Sequence, residues 1–451
     1  MKIIIVGIGK VGSTLCELLA SENHDVVIID TDGRIVEEHI NKFDVSGIVG
    51  SGRNIDILLE AGIKTADMII ATTEQDELNI LACLIGKQQG VKHTIARVRN
   101  PEYSTQTKFL HKNLELDLVI NPELESANEI SRILRFPSAE NIELFAKNRV
   151  EIVGFKITED SILVKKTLEG ARKKLNTKFL VVAVERNYEA IIPKGQFKLE
   201  ANDVIYVTGT KSDILKLAKE IGVYKNSAKK IMIIGGSVIT YYLAKQLLKT
   251  NTKVKIVEMD KERCFELKEL LPQATIIQGD GSNKDLLNEE GINEVDAFVT
   301  LTGLDEENII LSLYAKHEGV HKVITKINNI SYYDILSTLN LSSIISPKLI
   351  TAYNILRYVR SLQNAINLQV ENVYKLINNQ VEAIEFLVQD ENELTHKQIK
   401  DLKLKKDVLV AVIIRGNDII IPTGEDMILP NDRVIIISTN QNLANMEILR
   451  K

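Results

Sequence analysis

The sequence predicts an α/β protein built twice over: two tandem, doubly wound parallel-sheet domains, each followed by a small α+β lobe. Three observations predict it. Short β-branched runs alternate with helix-period runs through the front of each half, as a parallel sheet with crossover helices requires. The back of each half changes to closely spaced strand-like runs joined by turn residues. The whole pattern then returns, with Lys2-Ile3-Ile4-Ile5-Val6-Gly7 matched by Lys230-Ile231-Met232-Ile233-Ile234-Gly235. Gly50-Ser51-Gly52 likewise returns as Gly279-Asp280-Gly281, and Asp76-Glu77-Leu78-Asn79-Ile80 as Asp305-Glu306-Glu307-Asn308-Ile309. These matches keep a nearly constant offset, so the 451 residues are two copies of a unit of about 225 residues.

The elements follow in order. In copy one the strands fall at Lys2–Val6, Asp25–Ile29, Ser46–Val49, Met68–Ala71, Thr94–Arg97 and Leu118–Ile120. Helices lie between them, including Lys10–Ser21, Asp56–Ala61, Asp76–Gln89 and Pro101–Lys112. A helical segment leads out of each sheet domain, Glu123–Leu134 and Lys348–Ser361, with apolar residues at helical spacing. It is either an ordinary surface helix or one used for dimerisation or swapping. The first tail gives Val150–Lys156, a helical stretch Ser161–Leu175, Phe179–Arg186, Glu189–Pro193 and Asp203–Val207. The second gives Val381–Leu387, Leu394–Leu402, Leu409–Arg415, Asp418–Pro422 and Asp432–Ile437. Asn202-Asp203 and Asn431-Asp432 supply turn chemistry before the last strands. The expected boundaries are 1–122 (first sheet domain), 123–142 (linker helix), 143–222 (first small lobe), 229–347 (second sheet domain), 348–372 (linker helix) and 373–451 (second small lobe). Ser227-Ala228-Lys229-Lys230 is the expected hinge between copies.

The chemistry concentrates at the end of the first strand. Gly7-Ile8-Gly9-Lys10-Val11-Gly12 follows that strand directly and opens a helix, the context a Rossmann-like nucleotide loop needs. Gly7 permits the tight turn, Gly9 lets a pyrophosphate approach, and Gly12 lets the helix pack against the sheet. The helix N-terminus offers free N–H groups and a positive dipole. Asp30 ends the next strand about 20 residues on, where a carboxylate accepts ribose hydroxyls and disfavours a 2′-phosphate. NAD(H), ATP and ADP all fit this reading, and NADP does not. Gly50 and Ser51 are expected near the adenine, and Thr73 and Glu74 on the carboxyl edge of the sheet. Of Arg97 and Arg99, Arg97 is the one expected to face the cleft and neutralise phosphate.

The second loop is degraded. It reads Gly235-Gly236-Ser237-Val238-Ile239-Thr240. A Cβ at Ser237 is expected to crowd a phosphate, and β-branched Thr240 to crowd helix packing. Glu258 keeps the ribose carboxylate, Asp280 lies in an intact glycine turn, and Thr302 and Lys326 match Thr73 and Arg97. Either an altered site or a purely structural copy is open on these grounds.

Composition excludes several classes. With 45% hydrophobic and 26% charged residues the chain is not globally disordered, and a net charge of -5 gives no basic field for nucleic acid. No apolar run nears the roughly 20 residues that span a bilayer. The start does not read as a signal peptide, since its apolar run ends at Gly7. Three separated cysteines make neither a disulfide framework nor a cysteine-rich zinc site, and fit a reducing compartment. The seven histidines have no metal-ligand spacing and are expected at the surface. No histidine–aspartate or cysteine–histidine pairing marks a hydride- or acyl-transfer centre. The nucleotide therefore reads as a signal rather than a substrate, and the expected protein is not an enzyme.

These residues resemble a known family. The opening Met1–Gly12, Ala61-Gly62-Ile63, Asp76-Glu77-Leu78-Asn79, Ala82-Cys83 and Ile95–Tyr103 are similar to the TrkA family of potassium-uptake regulators, built from RCK (regulator of potassium conductance) domains. Gly279-Asp280-Gly281-Ser282, Val412–Asn417 and Asn431-Asp432 extend the resemblance to essentially the whole chain. The resemblance implies a cytoplasmic subunit held at the inner face of the membrane by a TrkH/TrkG-type potassium channel protein. It also implies NAD(H) or ATP/ADP in the sheet domains, and assembly as a tetramer of tandem chains into a gating ring. By motif, Gly7, Ile8, Gly9, Lys10, Val11, Asp30, Thr73, Glu74 and Arg97 are the implied cofactor residues, with Gly235 the retained glycine of the second copy. Two other readings stand beside it. One is an NAD-dependent oxidoreductase. The other is an RCK-type regulator of a different cation transporter or antiporter, with a small ligand in the tail lobes.

Overall fold

The computed structural model describes residues 1–101, 103, 114–135, 139–145, 149–175, 177–187, 189–223, 228–329, 339, 341, 343–364, 370–377, 380–388, 394–402, 404, 405 and 407–439. The chain divides into two compact units, Met1–Arg135 with Ala228–Leu356, and Phe136–Ser227 with Arg357–Lys451.

The first unit holds both parallel sheets. In copy one the elements are β1 (Lys2–Val6), α1 (Lys10–Ser21), β2 (Asp25–Asp30), α2 (Gly33–Lys42), β3 (Ser46–Val49), α3 (Ile55–Glu60), β4 (Met68–Ala71), α4 (Asp76–Gln88), β5 (His93–Arg97) and β6 (Leu118–Ile120). The sheet order is β3-β2-β1-β4-β5-β6, with every pair parallel. Helices cover both faces of such a sheet, so its central strands are apolar without alternation; Ile3, Ile4 and Ile5 are all fully buried. The strand order reverses between β1 and β4, which opens a crevice at their carboxyl ends.

Helix α5 (Pro122–Arg135) leaves β6. It does not lie on solvent. Ala127, Ile130 and Leu134 are buried in a core shared with Ile239, Tyr242 and Leu243 of the second copy. Asn121 Nδ2 donates to Tyr242 OH at 3.1 Å, and Gln246 Nε2 to Asn128 Oδ1 at 2.8 Å. The linker of copy one is thus a swapped helix, seated on its twin domain within the same chain.

The first small lobe contains β7 (Ala139–Phe145), β8 (Val150–Lys156), α6 (Leu168–Lys174), β9 (Leu180–Arg186), β10 (Glu189–Ile191), β11 (Val204–Gly209) and α7 (Lys211–Glu220). Copy two resumes with β12 (Lys230–Ile234), α8 (Val238–Leu248), β13 (Lys253–Glu258), α9 (Lys261–Leu270), β14 (Thr275–Gln278), α10 (Lys284–Glu289), β15 (Ala297–Thr300), α11 (Asp305–His317), β16 (Lys322–Lys326), β17 (Ile344–Ile345) and α12 (Pro347–Asn364). Its sheet order, β14-β13-β12-β15-β16-β17, repeats the first. The second lobe has β18 (Val370–Leu376), β19 (Val381–Leu387), β20 (Val408–Arg415), β21 (Asp418–Ile420) and β22 (Arg433–Ser438). The two lobe sheets, β10-β9-β11-β8-β7 and β18-β19-β22-β20-β21, are antiparallel copies of one another. One core joins them: Phe145, Val182 and Tyr206 pack with Val381, Ala411 and Ile435.

Several elements differ from the sequence expectation. The pattern at Gly33–Lys42 is mostly polar, with only Val36 and His39 buried, so periodicity alone hides α2. Strand β7 begins inside the segment read as linker helix 123–142, and β18 inside 348–372. The stretch Ser161–Leu175 is helical only at α6; Lys165 adopts φ +63°, which breaks an α-helix. Leu394–Leu402 contains just a short 3₁₀ turn, Ile399–Asp401. The expected helix Pro101–Lys112 lies outside the described residues except at Pro101 and Tyr103, as does Ser227 of the hinge. His24 and His39 are buried rather than superficial, and His39 Nε2 lies 2.8 Å from Ser13 Oγ, tying α2 to α1.

Candidate nucleotide site

The loop after β1 is shaped by its glycines. Gly7 sits at φ +87°, where a side chain is strained, and a Cβ there would meet the Thr73 backbone at 2.8 Å. A Cβ at Gly12 would come within 2.0 Å of the Gly7 carbonyl oxygen. Gly9 is different: a Cβ there meets nothing within 4 Å, so its smallness serves no protein contact. Gly9 is also the N-cap of α1 and makes no side-chain cap. The first-turn amides therefore face open space, which is what an anionic phosphate needs.

Asp30 ends β2 beside this loop. One oxygen accepts from Ile8 N at 2.6 Å and the other from Asp32 N at 2.9 Å. Each carboxylate oxygen carries a second lone pair, so both remain able to accept a hydroxyl. Gly50 and Ser51 border the same opening from the end of β3. A Cβ at Gly52 would meet Val6 Cγ1 at 2.2 Å, so this third glycine lets the turn close over β1.

The opposite wall is organised by Asn79, a fully buried side chain on α4. Its Oδ1 accepts from Thr73 N at 2.8 Å and Thr73 Oγ1 at 2.7 Å. Its Nδ2 donates to the carbonyls of Thr73 at 3.0 Å and Arg97 at 2.9 Å. Asp76 accepts from the amides of Arg99 and Asn100 at 2.9 and 2.8 Å. The motif Asp76–Asn79 thus holds the ends of β4 and β5 in place. Its scaffolding role carried no local signal beyond its repetition at Asp305–Asn308, where Asn308 makes the same four bonds to Thr302 and Lys326.

Arg97 donates to the Thr73 carbonyl at 3.2 Å, and its Nε is buried without a partner. Burial, with the charge of Arg99 beside it, holds its pKa below the ordinary arginine value. Arg99 faces the cleft as well, against the expectation that only one of the two does. The strand ends at Arg97, and Arg99 turns to pair with Glu123 at 2.7 Å.

These elements surround one cleft of about 820 Å³. Gly7, Gly9, Lys10, Val11, Asp30, Gly50, Ser51, Thr73, Glu74 and Arg97 border it together; Ile8 and Gly12 stand behind it. The far wall comes from the second copy, through Lys326, Asn328 and Lys348. The residues fit a nucleotide: an uncapped helix start, the Asp30 carboxylate and the half-buried Arg97 surround one opening.

Residues 3–122 and 231–347 match the TrkA-N domain family, and 152–222 and 383–448 the TrkA-C domain family. The chain belongs to the TrkA family. The Trk system potassium uptake protein TrkA homolog 1 of Methanosarcina mazei is 33% identical and covers 99% of each chain. TrkA of Haemophilus influenzae is 32% identical over 99% of this chain and 98% of its own. Among solved structures, the GsuK channel aligns with 97% of this chain and 76% of its own at TM-score 0.65 and 18% identity. The same channel bound to NAD aligns at TM-score 0.64, also at 18% identity and over the same shares. These last two are likenesses of fold.

The second TrkA-N domain is built differently at its loop. Gly235 keeps the left-handed turn at φ +96°. Ser237 Oγ caps α8 by accepting from Thr240 N, so a side chain takes a donor that the first domain leaves open. Thr240 does not crowd the helix. It is fully buried and donates to the Gly235 carbonyl at 2.5 Å. In the first domain Thr72 serves the matching Gly7 carbonyl at 2.8 Å, and Leu301 replaces Thr72 in the second. Arg263 Nε also donates to the Gly236 carbonyl at 2.6 Å. Glu258 holds the amides of Gly236 and Asp260, as Asp30 does its own pair. Asp280 is turned into its loop by Ser282 N and Oγ, which keep its carboxyl below the usual range.

Proposed function

We propose that this chain is the nucleotide-binding regulatory subunit of a Trk-type potassium uptake system. Family membership supports the transport role, and no helix among the described residues is long and apolar enough to cross a membrane. The pore then belongs to another protein, and the proposed partner is a TrkH/TrkG-type channel subunit at the inner face of the cell membrane. The observation that carries the nucleotide reading is the meeting of the open α1 N-terminus, Asp30 and Arg97 in one cleft of a TrkA-N domain.

A bound adenine nucleotide, NAD(H) or ATP/ADP, supplies the anionic phosphates and the ribose hydroxyls. The α1 amides bind phosphate, Asp30 accepts from the ribose, and Arg97 neutralises charge. Asn79 and Asp76 hold Thr73 and Arg97 ready, so little ordering is left to ligand binding. The output path starts at Asn121, which donates to the Arg99 carbonyl at 3.1 Å and to Tyr242 OH. Helix α5 begins at the next residue and lies on α8. A change at the cleft edge therefore reaches the twin domain through packed groups. The ligand biases the assembly only by preferring one arrangement. The proposed assembly is a tetrameric ring of tandem chains.

The test is potassium flux in vesicles holding the channel partner, with purified regulator and each nucleotide, including a non-hydrolysable ATP analogue. Flux that responds to nucleotide without its consumption supports the reading. Flux that responds to none, or only to hydrolysable ATP, overturns it.

A further inference from the structure

The duplication lets each helix seat between the two sheet domains be compared with its twin. On one side α5 lies on α8. Tyr242 of α8 is buried there, and its hydroxyl accepts from Asn121 Nδ2 at 3.1 Å. Further along the same two helices, Gln246 Nε2 donates to Asn128 Oδ1 at 2.8 Å. On the other side α12 matches α5 and α1 matches α8, since Ser346-Pro347 repeats Asn121-Pro122 and Gly7 repeats Gly235. At that seat the residue matching Tyr242 is Thr14, and the residue matching Asn121 is Ser346. Both are smaller, so a phenol ring and an amide are missing from one spot. Leu18 and Tyr353 match Gln246 and Asn128, and cannot repeat the bond between those two amides.

The space is not refilled. A cavity of about 580 Å³ lies between α1, α5 and α12, with Leu18, Ile133, Leu349 and Ile350 giving it an apolar lining. Thr14 and Ser346 border it too. Thr14 turns its hydroxyl back along its own helix, to the Lys10 carbonyl at 3.0 Å. Ser346 is 2% exposed, and its Oγ has no hydrogen-bond partner. A buried hydroxyl left unpaired is costly, and here it stands where the twin seat bonds a phenol. The cavity is of the size that small organic ligands occupy, mostly apolar with a few polar groups. Its charged neighbours are acidic: Glu129, and an exposed Glu17 with no ion-pair partner among the described residues.

We propose that this cavity is a binding site for a small uncharged phenol. Its ring takes the place that Tyr242 fills in the twin seat, and its hydroxyl bonds Ser346 Oγ as the Tyr242 hydroxyl bonds Asn121. The carboxylates of Glu17 and Glu129 disfavour an anionic ligand. Pro347 and Lys348, the two residues after Ser346, border the nucleotide cleft, so a single turn of chain separates the two openings.

The test is NMR titration of the full chain with para-cresol, the tyrosine side chain as a free molecule. Toluene and para-hydroxyphenylacetate serve as comparisons. The proteins are wild type, Thr14→Tyr, Leu349→Phe and Ser346→Ala, each checked for folding by thermal unfolding without ligand. Wild type should bind para-cresol with a Kd of about 1 mM, as befits a fragment of that size. Thr14→Tyr puts the missing ring back and should weaken binding about tenfold or more. Leu349→Phe fills the cavity from the opposite helix and should act in the same direction. Ser346→Ala should weaken para-cresol about fivefold and leave toluene unchanged, since only the phenol loses a hydrogen bond. The anionic para-hydroxyphenylacetate should bind more weakly than para-cresol. No binding to wild type at about 10 mM overturns the site, and so does undiminished binding to the folded ring-filling variants. An unchanged para-cresol affinity in Ser346→Ala overturns the pairing with that hydroxyl. Tighter binding of the anion overturns the charge assignment.

Discussion

The Thr240 hydroxyl donates to the Gly235 carbonyl in the second TrkA-N domain. In the first domain the equivalent carbonyl, that of Gly7, is served from β4 by Thr72, and the position of Thr240 is Gly12. One backbone acceptor is satisfied by two routes, and the route decides whether the loop stays bare. With Thr72 as donor, α1 begins at an uncapped glycine. With Thr240 as donor, Ser237 caps the helix and occupies the space near its first amides.

Gly9→Val should therefore act on the ligand and not on the fold. A Cβ at Gly9 touches no protein atom within 4 Å. The expected outcome is an unchanged unfolding midpoint with nucleotide affinity reduced by about 100-fold, since the branched side chain takes the phosphate's place. Calorimetry with undiminished affinity would remove the phosphate loop from the first domain.

Gly12→Thr should be destabilising alone, by about 1–3 kcal/mol, because the added Cβ falls within 2.0 Å of the Gly7 carbonyl. Adding Thr72→Leu removes the competing donor and recreates the second domain's solution. The double variant should recover part of the loss, seen as a positive coupling in a double-mutant cycle by chemical denaturation. Strict additivity would mean that the two carbonyl routes are unrelated.

Asn79→Ala removes four hydrogen bonds from a fully buried site. It leaves the Thr73 amide without its acceptor, and the Thr73 hydroxyl with the longer bond to the Gln75 carbonyl at 3.3 Å. A loss of about 2–4 kcal/mol is expected, together with weaker nucleotide binding as Thr73 and Arg97 lose their support. Asn308→Ala should cost similar stability in the second domain but leave first-site affinity nearly intact. Equal effects of the two variants on binding would contradict the assignment of the site to the first domain.

Much of this was legible in the residues. The duplication exposed the architecture because equal β-branched runs and glycine turns recur at one offset. The glycine loop was legible because Gly7, Gly9 and Gly12 sit between a strand and a helix. The swapped seat of α5 was not: Ala127, Ile130 and Leu134 announce a buried face, but not that Tyr242 and Leu243 cover it. Helix α2 escaped because its burial rests on two residues. Thr240 reads as crowding in the sequence because its β-branch is visible there, whereas the hydrogen bond of its hydroxyl to the Gly235 carbonyl is not. The lysines that the second domain brings to the cleft were only half visible. Lys326 aligns with Arg97, yet nothing in sequence order says that the second sheet's carboxyl edge meets the first.

Lys326 and Lys348, which line the cleft from the second domain, carry a pH dependence whose sign follows from their environment. Lys326 is pushed below the ordinary lysine value by burial and by Lys10, with Asp305 and Glu123 pulling it back. Lys348 is lowered by burial and Lys10, with Asp305 and Glu17 opposing. A base whose folded-state pKa is depressed opposes folding while charged, so in the free protein this penalty eases as pH rises toward about 10.4. A polyphosphate beside the same groups stabilises their charged forms and raises those values again. In the window between the lowered pKa and the ordinary one, ATP binding should therefore take up protons. Its affinity should fall as pH rises through that window. The measurement is calorimetry at alkaline pH in two buffers of different ionisation enthalpy, on wild type and on Lys348→Ala with Lys326→Met. Wild type should show net proton uptake on binding ATP, and the double variant should show less of it and a flatter pH profile. Identical uptake in the two proteins would place the titrating groups elsewhere and detach the second domain's lysines from the ligand.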